Sequence, residues 1–188
     1  LDLALAERFA RAAVDASDSP AVKLLLAYVL FMREQGAETE EILSTVDTPV
    51  LPATGFVTPV ILRSANLLWV LRRPEQAWEV TEQALRGGDT AENDALQTFR
   101  AVQLVLGGRP AEAVDVLAGV DLSRLDPFGQ TLGRCADVIG LGDLGRTSQA
   151  AGRAEDGDAV IAQSPPDSFQ GSGRAEVHAS ALLAAGYI

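Results

Sequence analysis

Little in this sequence can cross-link, chelate or grip a polyanion. Cys135 is the single cysteine among 188 residues, so no internal disulfide forms and a reducing cytosol is the natural setting. His178 is the one histidine and stands without a cysteine pair, so no metal site is expected. Aromatic residues make up only 5% of the chain, while alanine and leucine abound, which favours helix over strand. The 15 basic residues are outnumbered by 26 acidic ones, and a net charge of −11 repels phosphate backbones. Direct contact with nucleic acid is therefore not expected of this segment. No apolar run approaches the ~18 residues that begin to span a bilayer. The most apolar stretch, residues 22–32, ends in Arg33-Glu34, so no membrane partner is expected. No G-x-x-x-x-G-K-[ST] loop occurs either, and no cofactor is expected within these residues.

The chain does have helical periodicity, punctuated by regularly spaced turns. Residues 1–16 carry Leu5, Phe9, Ala12, Ala13 and Ala16 on one face and Glu7, Arg8, Arg11 and Asp15 on the other. That pattern predicts an amphipathic helix with the first set inward. Ser19-Pro20 and Thr58-Pro59 read as helix starts, a capping hydroxyl followed by proline at the first position. The helix after Ser19 is apolar nearly all round, as a helix sandwiched between neighbours would be. A short helix is expected over 38–46, a loop over 47–55, and further helices over 59–71, 74–86, 90–106, 111–118, 127–144 and 146–163. A loop over 164–173, rich in Pro, Ser and Gly, leads to a closing helix over 175–185.

These helices repeat. Glu41, Ala77, Ala113 and Ala150 fall in one column at steps of 36, 36 and 37 residues. Twelve residues before the last three stand Ala65, Ala101 and Val138, and nine before stand Leu68, Leu104 and Leu141. Small residues at two offsets with a leucine between are what two closely crossing helices need. The expected fold is all-α: a tetratricopeptide-like helical-hairpin solenoid of about ten antiparallel helices with a period of about 36 residues, forming one domain over 1–188. The register places Ala6 and Ala13 at second-helix offsets and ends at Gly186. The chain thus reads as a piece of a longer protein cut mid-repeat at both ends, with a homodimer through its end helices as one expectation.

No catalytic constellation assembles, and an enzyme is not expected. Gly140-Leu141-Gly142-Asp143-Leu144-Gly145 matches a dinucleotide fingerprint, yet it follows a helix rather than a strand and reads as a helix end. Cys135 fits a small core residue, with no neighbouring base to activate it. The acidic pairs Glu40-Glu41 and Glu155-Asp156 read as solvated helix faces. The candidate binding surface is a concave groove lined by first helices of each pair: Leu62, Asn66, Trp69, Val70, Thr98, Val102 and Val105. Trp69 fits equally well as a groove wall or as core between repeats.

Arg63-Ser64-Ala65-Asn66-Leu67-Leu68-Trp69, followed by Arg73-Pro74-Glu75-Gln76-Ala77, resembles the sensor region of large LuxR-family transcriptional regulators of actinobacteria. Such proteins carry an "RAxNLxW…GRPxEA" run in their helical repeats. Arg109-Pro110-Ala111-Glu112-Ala113 echoes its second half, and Glu7-Arg8-Phe9-Ala10-Arg11-Ala12-Ala13 also fits. Ser64 stands where alanine is common, and Arg72 where glycine is. The resemblance implies a cytoplasmic sensory module. It would bind a protein, a peptide or a small-molecule inducer, and pass the signal to ATPase and helix-turn-helix domains elsewhere in the same chain. A generic protein-interaction scaffold is the alternative reading.

Overall fold

The computed structural model describes residues 2–46, 58–87, 90–161 and Leu183. Among these the chain is helical, with no strand. The helices are α1 (Leu3–Ala16), α2 (Pro20–Met32), α3 (Gly36–Thr45), α4 (Pro59–Ala65), α5 (Pro74–Gly87), α6 (Thr90–Leu106), α7 (Pro110–Ala118), α8 (Pro127–Asp143) and α9 (Thr147–Ile161). A π-helical turn, Asn66–Val70, continues α4, and a 3-10 turn, Leu122–Arg124, precedes α8. That makes nine α-helices among the described residues against about ten expected. The expected loops over 47–55 and 164–173, the closing helix over 175–185 and His178 lie outside the described residues. No described helix is long and apolar enough to cross a membrane.

The chain falls into two compact units, Leu1–Gly87 and Gly88–Ile188, where the sequence pattern reads as one continuous array. In the first, α1 packs on α2, α2 on α3, and α4 on α5. In the second, α6 packs on α7 and α8, and α8 on both α7 and α9. Helix starts follow local chemistry. The Asp2, Thr58 and Asp126 side chains accept from the N–H of Leu5, Ile61 and Gly129, each satisfying one orphan donor of a first turn. Ser19 departs from this expectation: Pro20 does open α2, but the Ser19 side chain makes no capping bond.

One turn recurs between paired helices. Glu34, Arg72, Gly108 and Gly145 all take positive φ, at 59°, 56°, 72° and 73°. In each case the residue after it donates its N–H back into the preceding helix, as at many helix C-termini. Gln35 reaches the carbonyl of Leu30, Arg109 that of Leu104 and Arg146 that of Leu141, each five residues back. Arg73 instead reaches Leu67, six residues back, because the π-helical turn holds one extra residue.

That extra residue corrects the sequence register. The buried leucine column is Leu30, Leu67, Leu104 and Leu141, at 0%, 2%, 1% and 5% exposure, spaced by 37 residues throughout. Leu68, expected there, is only partly buried. Three positions earlier stand Ala27, Ser64, Ala101 and Val138, all buried. On the second helices the column is Thr39, Ala77, Ala113 and Ala150, each with no exposed surface, whereas Glu41 points to solvent. Ser64 supplies the small contact for its hairpin, its hydroxyl bonding the Ala77 carbonyl at 3.3 Å and Thr81 Oγ1 at 3.0 Å.

The face of α1 expected to turn inward is mostly exposed, although Arg8 and Asp15 do lie in solvent as expected. Glu7 and Ala10 are its buried residues, while Leu5, Phe9, Ala12 and Ala16 are exposed, Phe9 at 68%. Ala10 lies against Leu26 and Leu30 of α2. On the same face the Glu7 carboxylate accepts from Arg33, from Arg11 Nε at 2.8 Å and from Gln35 at 3.4 Å. Arg11 also forks onto Glu38 of α3 at 2.6 and 2.9 Å. Partners in the α2–α3 turn and on α3 outweigh the helix's own amphipathic pattern, because a buried carboxylate with several donors no longer needs water.

Candidate functional site

The seven residues assigned to a groove by sequence sit as follows. In the first unit Leu62 belongs to a core cluster with Ala27 and Leu43. Asn66 is buried, its amide donating to the Gly36 carbonyl at 2.9 Å. Val70 is partly exposed and lies so close to Gly36 that a Cβ there would stand 2.7 Å from its Cγ1, which is why glycine opens α3. Trp69 is partly exposed on the π-helical turn. In the second unit Thr98, Val102 and Val105 are buried. Thr98 faces α8 at Gly133, and Val105 faces it at Gly140. Five of the seven positions are thus occupied by packing between helices, and Trp69 and Val70 keep accessible surface.

The glycine run from Gly140 closes α8 and enters the recurring turn, with Gly145 in the left-handed region. It forms no strand-to-helix cradle for a phosphate. Cys135 packs beside Val138, Leu141, Ala150 and Ala154. Among the described residues no group of three or more His, Cys, Asp or Glu is placed to hold a metal ion.

A cavity of about 840 Å³ opens within the second unit, walled by α7, the 3-10 turn, α8 and α9. Its α8 wall is Arg134, Asp137 and Leu141, at the three- and four-residue steps that share one helix face. Its α9 wall includes Gln149, Gly152, Arg153 and Asp156, reached from Arg146 in the preceding turn. Val114 and Leu117 of α7 and Leu122 of the 3-10 turn supply apolar surface. Gly133 lets that turn close down, since a Cβ there would meet Leu122 Cδ2 at 2.4 Å.

The charges of this cavity are unevenly matched. Arg153 pairs with Asp137 at 3.4 Å, and burial still pushes the Asp137 carboxyl above its ordinary range, with Arg153 and Arg134 opposing that rise. Asp121 is held low by hydrogen bonds from the Ser123 hydroxyl and N–H. Arg134 and Arg146 make no ion pair or side-chain hydrogen bond among the described residues, and the Nε of Arg134 is buried. A buried Nε–H without an acceptor is costly, by about 1–3 kcal/mol for an unmet polar group. Glu155 and Asp156 are exposed, as the sequence suggested, and sequence patterns did not tie them to Arg134 and Asp137 on α8. The available signal was Arg146-x-x-Gln149-x-x-x-Arg153, a polar stripe that runs from the turn before α9 along one side of it.

Comparison with protein-family models, with curated proteins and with solved structures finds no match to this chain.

Proposed function

We propose that this chain is the sensory and protein-interaction module of a LuxR-type transcriptional regulator, arranged as a tetratricopeptide-like helical-hairpin solenoid and working in the cytosol. The recurring left-handed turn and the 37-residue leucine column support the repeat arrangement. The observation that carries the sensory reading is the open cavity of about 840 Å³, a size suited to a small ligand or a peptide end. A signal bound there shifts the equilibrium between two states of the regulator by no more than its differential affinity for them. ATP hydrolysis and DNA contact belong to other domains of the longer chain, in keeping with the acidic charge of this one.

The second reading, an interaction scaffold unrelated to transcription, is favoured by a specific surface: Leu5, Phe9, Leu25 and Tyr28 are all exposed on α1 and α2. The full-length gene separates the two. The regulator reading expects a phosphate-binding loop upstream and a helix-turn-helix downstream, and DNA binding by the whole protein that changes at least threefold with the signal. A full-length protein with neither element retires it and leaves the scaffold.

A further inference from the structure

We propose that the cavity of the second unit binds a free aliphatic α-amino acid, with the carboxylate on Arg134, the ammonium on Asp156 and the side chain against Val114, Leu117 and Leu122. This names the ligand class for the sensory reading and rests on it for its biological role, though not for the binding itself.

The geometry that points there begins with the Asp137–Arg153 pair, which marks where antiparallel α8 and α9 come level with each other. One turn back from Asp137 is Arg134, and one turn on from Arg153 is Asp156. The register therefore sets a cation and an anion opposite each other across the same cavity, both part of its wall. They are not paired with each other; the Nε of Arg134 is buried without a hydrogen-bond partner, and the Arg134 charge acts on neighbouring Asp137. A guanidinium presents parallel N–H donors that match a carboxylate. A phosphate would meet the acidic members of the wall, Asp121, Asp137, Glu155 and Asp156, which oppose a second negative charge. A ligand with carboxylate and ammonium on one carbon satisfies both sides at once.

The remaining wall sets what the third substituent can be. Val114, Leu117 and Leu122 are apolar and come from α7 and the 3-10 turn; Val114 and Leu122 reach α8 at Gly140 and Gly133, and all three line the cavity. On the α9 side a Cβ added at Gly152 would meet nothing within 4 Å, so the wall there is open. That leaves room for a branched aliphatic side chain to lie across the cavity with its head group held at Arg134 and Asp156.

Isothermal titration calorimetry of the 188-residue chain with leucine is the test. Leucine should give a saturable heat, and N-acetyl-leucine and leucine amide, each lacking one charge, should bind at least tenfold more weakly. Trileucine separates its two charged ends and should also lose at least tenfold. Arg134→Met and Asp156→Asn should each weaken leucine at least tenfold, with unchanged helical circular dichroism. Gly152→Leu adds a good helix former facing the cavity and should keep the fold while reducing leucine binding at least tenfold. Absence of a saturable leucine heat overturns the proposal, as does leucine binding that Arg134→Met leaves unchanged. Equal binding of the amide or the acetylated form overturns the head-group assignment, and tighter binding of trileucine replaces the free amino acid by an oligopeptide. If leucine fails while another signal alters DNA binding by the full-length protein, the ligand class falls and the sensory reading stands. If leucine binds through Arg134 in a full-length protein without a DNA-binding domain, the site stands and the regulator reading falls.

Discussion

Glu7 in the first unit and Arg134 in the second are both charged side chains carried by a helix at a packed interface, and their surroundings differ. Glu7 is met by Arg11, Arg33 and Gln35, and Arg11 in turn by Glu38, so that seam closes on itself. Arg134 faces a cavity and has no such closure. The apolar skeleton beneath them is the same, with Leu30 and Leu67 in one unit and Leu104 and Leu141 in the other. What is repeated builds the fold. What breaks the repeat is where chemistry remains available, because an unmet charge gains from a ligand and a met one does not.

The largest test concerns the shared skeleton. Leu67→Ala and Leu141→Ala should each cost about 3 kcal/mol, the usual range for a buried leucine truncated to a methyl. Leu68→Ala, one residue away and only partly buried, should cost about 1 kcal/mol. Urea unfolding midpoints decide it. A larger loss at Leu68 than at Leu67 would remove the one-residue shift that the π-helical turn introduces, and with it the equivalence of the two units.

The second test separates the charges. Glu7→Ala leaves Arg33 and Arg11 without their shared acceptor and should cost about 2 kcal/mol, less than a wholly buried pair because both arginines are partly in water. Arg134→Met removes the buried, unpaired Nε, gives up the attraction of Arg134 for Asp137 and keeps the aliphatic length, so stability should stay level or rise by up to about 2 kcal/mol. Equal losses at the two positions, measured by the same denaturation, would mean that Arg134 holds the fold together as Glu7 does.

The sequence made the helices and the recurring turns legible because they depend on short-range chemistry: Pro20, Pro59, Pro74, Pro110 and Pro127 all open helices. The leucine column was misplaced by one residue at Leu68, since a π-helical turn has no distinct local signature and shows itself only through the bond from Arg73 to Leu67. Thr39 was missed for Glu41 by the same drift. The inner face of α1 was misassigned because amphipathicity counts side chains one at a time. Glu7 becomes an interior group only through Arg33, 26 residues away in the chain, and Arg11 is drawn to the same face by Glu38, 27 residues away. Of the groove residues, Trp69 and Val70 keep accessible surface, while Thr98 and Val105 pack against glycines of α8 that no short-range pattern ties to them.

The smallest effect is in the pH dependence, where the two units should move in opposite directions. The Arg11 hydrogen bond holds Glu38 below the ordinary glutamate range. A depressed carboxylate stabilises the fold above its unfolded pKa, and that contribution disappears as pH falls through the lower folded value. Glu38 is 39% exposed, so after solvent screening the term is roughly a few tenths of a kcal/mol. Burial holds Asp137 above its ordinary range. A raised carboxylate favours the fold below the unfolded pKa, and the advantage is lost as pH rises through the folded value, so at neutral pH the ionised Asp137 is a net cost. Asp137→Asn should therefore raise stability at pH 7 by up to about 0.5 kcal/mol, given the modest value of a pair to the exposed Arg153, and have no stabilising effect at pH 3. Glu38→Gln should do the reverse, lowering stability at pH 7 and becoming neutral at pH 3. Denaturation midpoints of both variants at the two pH values give four numbers. The same sign for both substitutions at pH 7 would mean that the cavity's carboxylate is as well met as the one in the seam, and the contrast between the units would be lost.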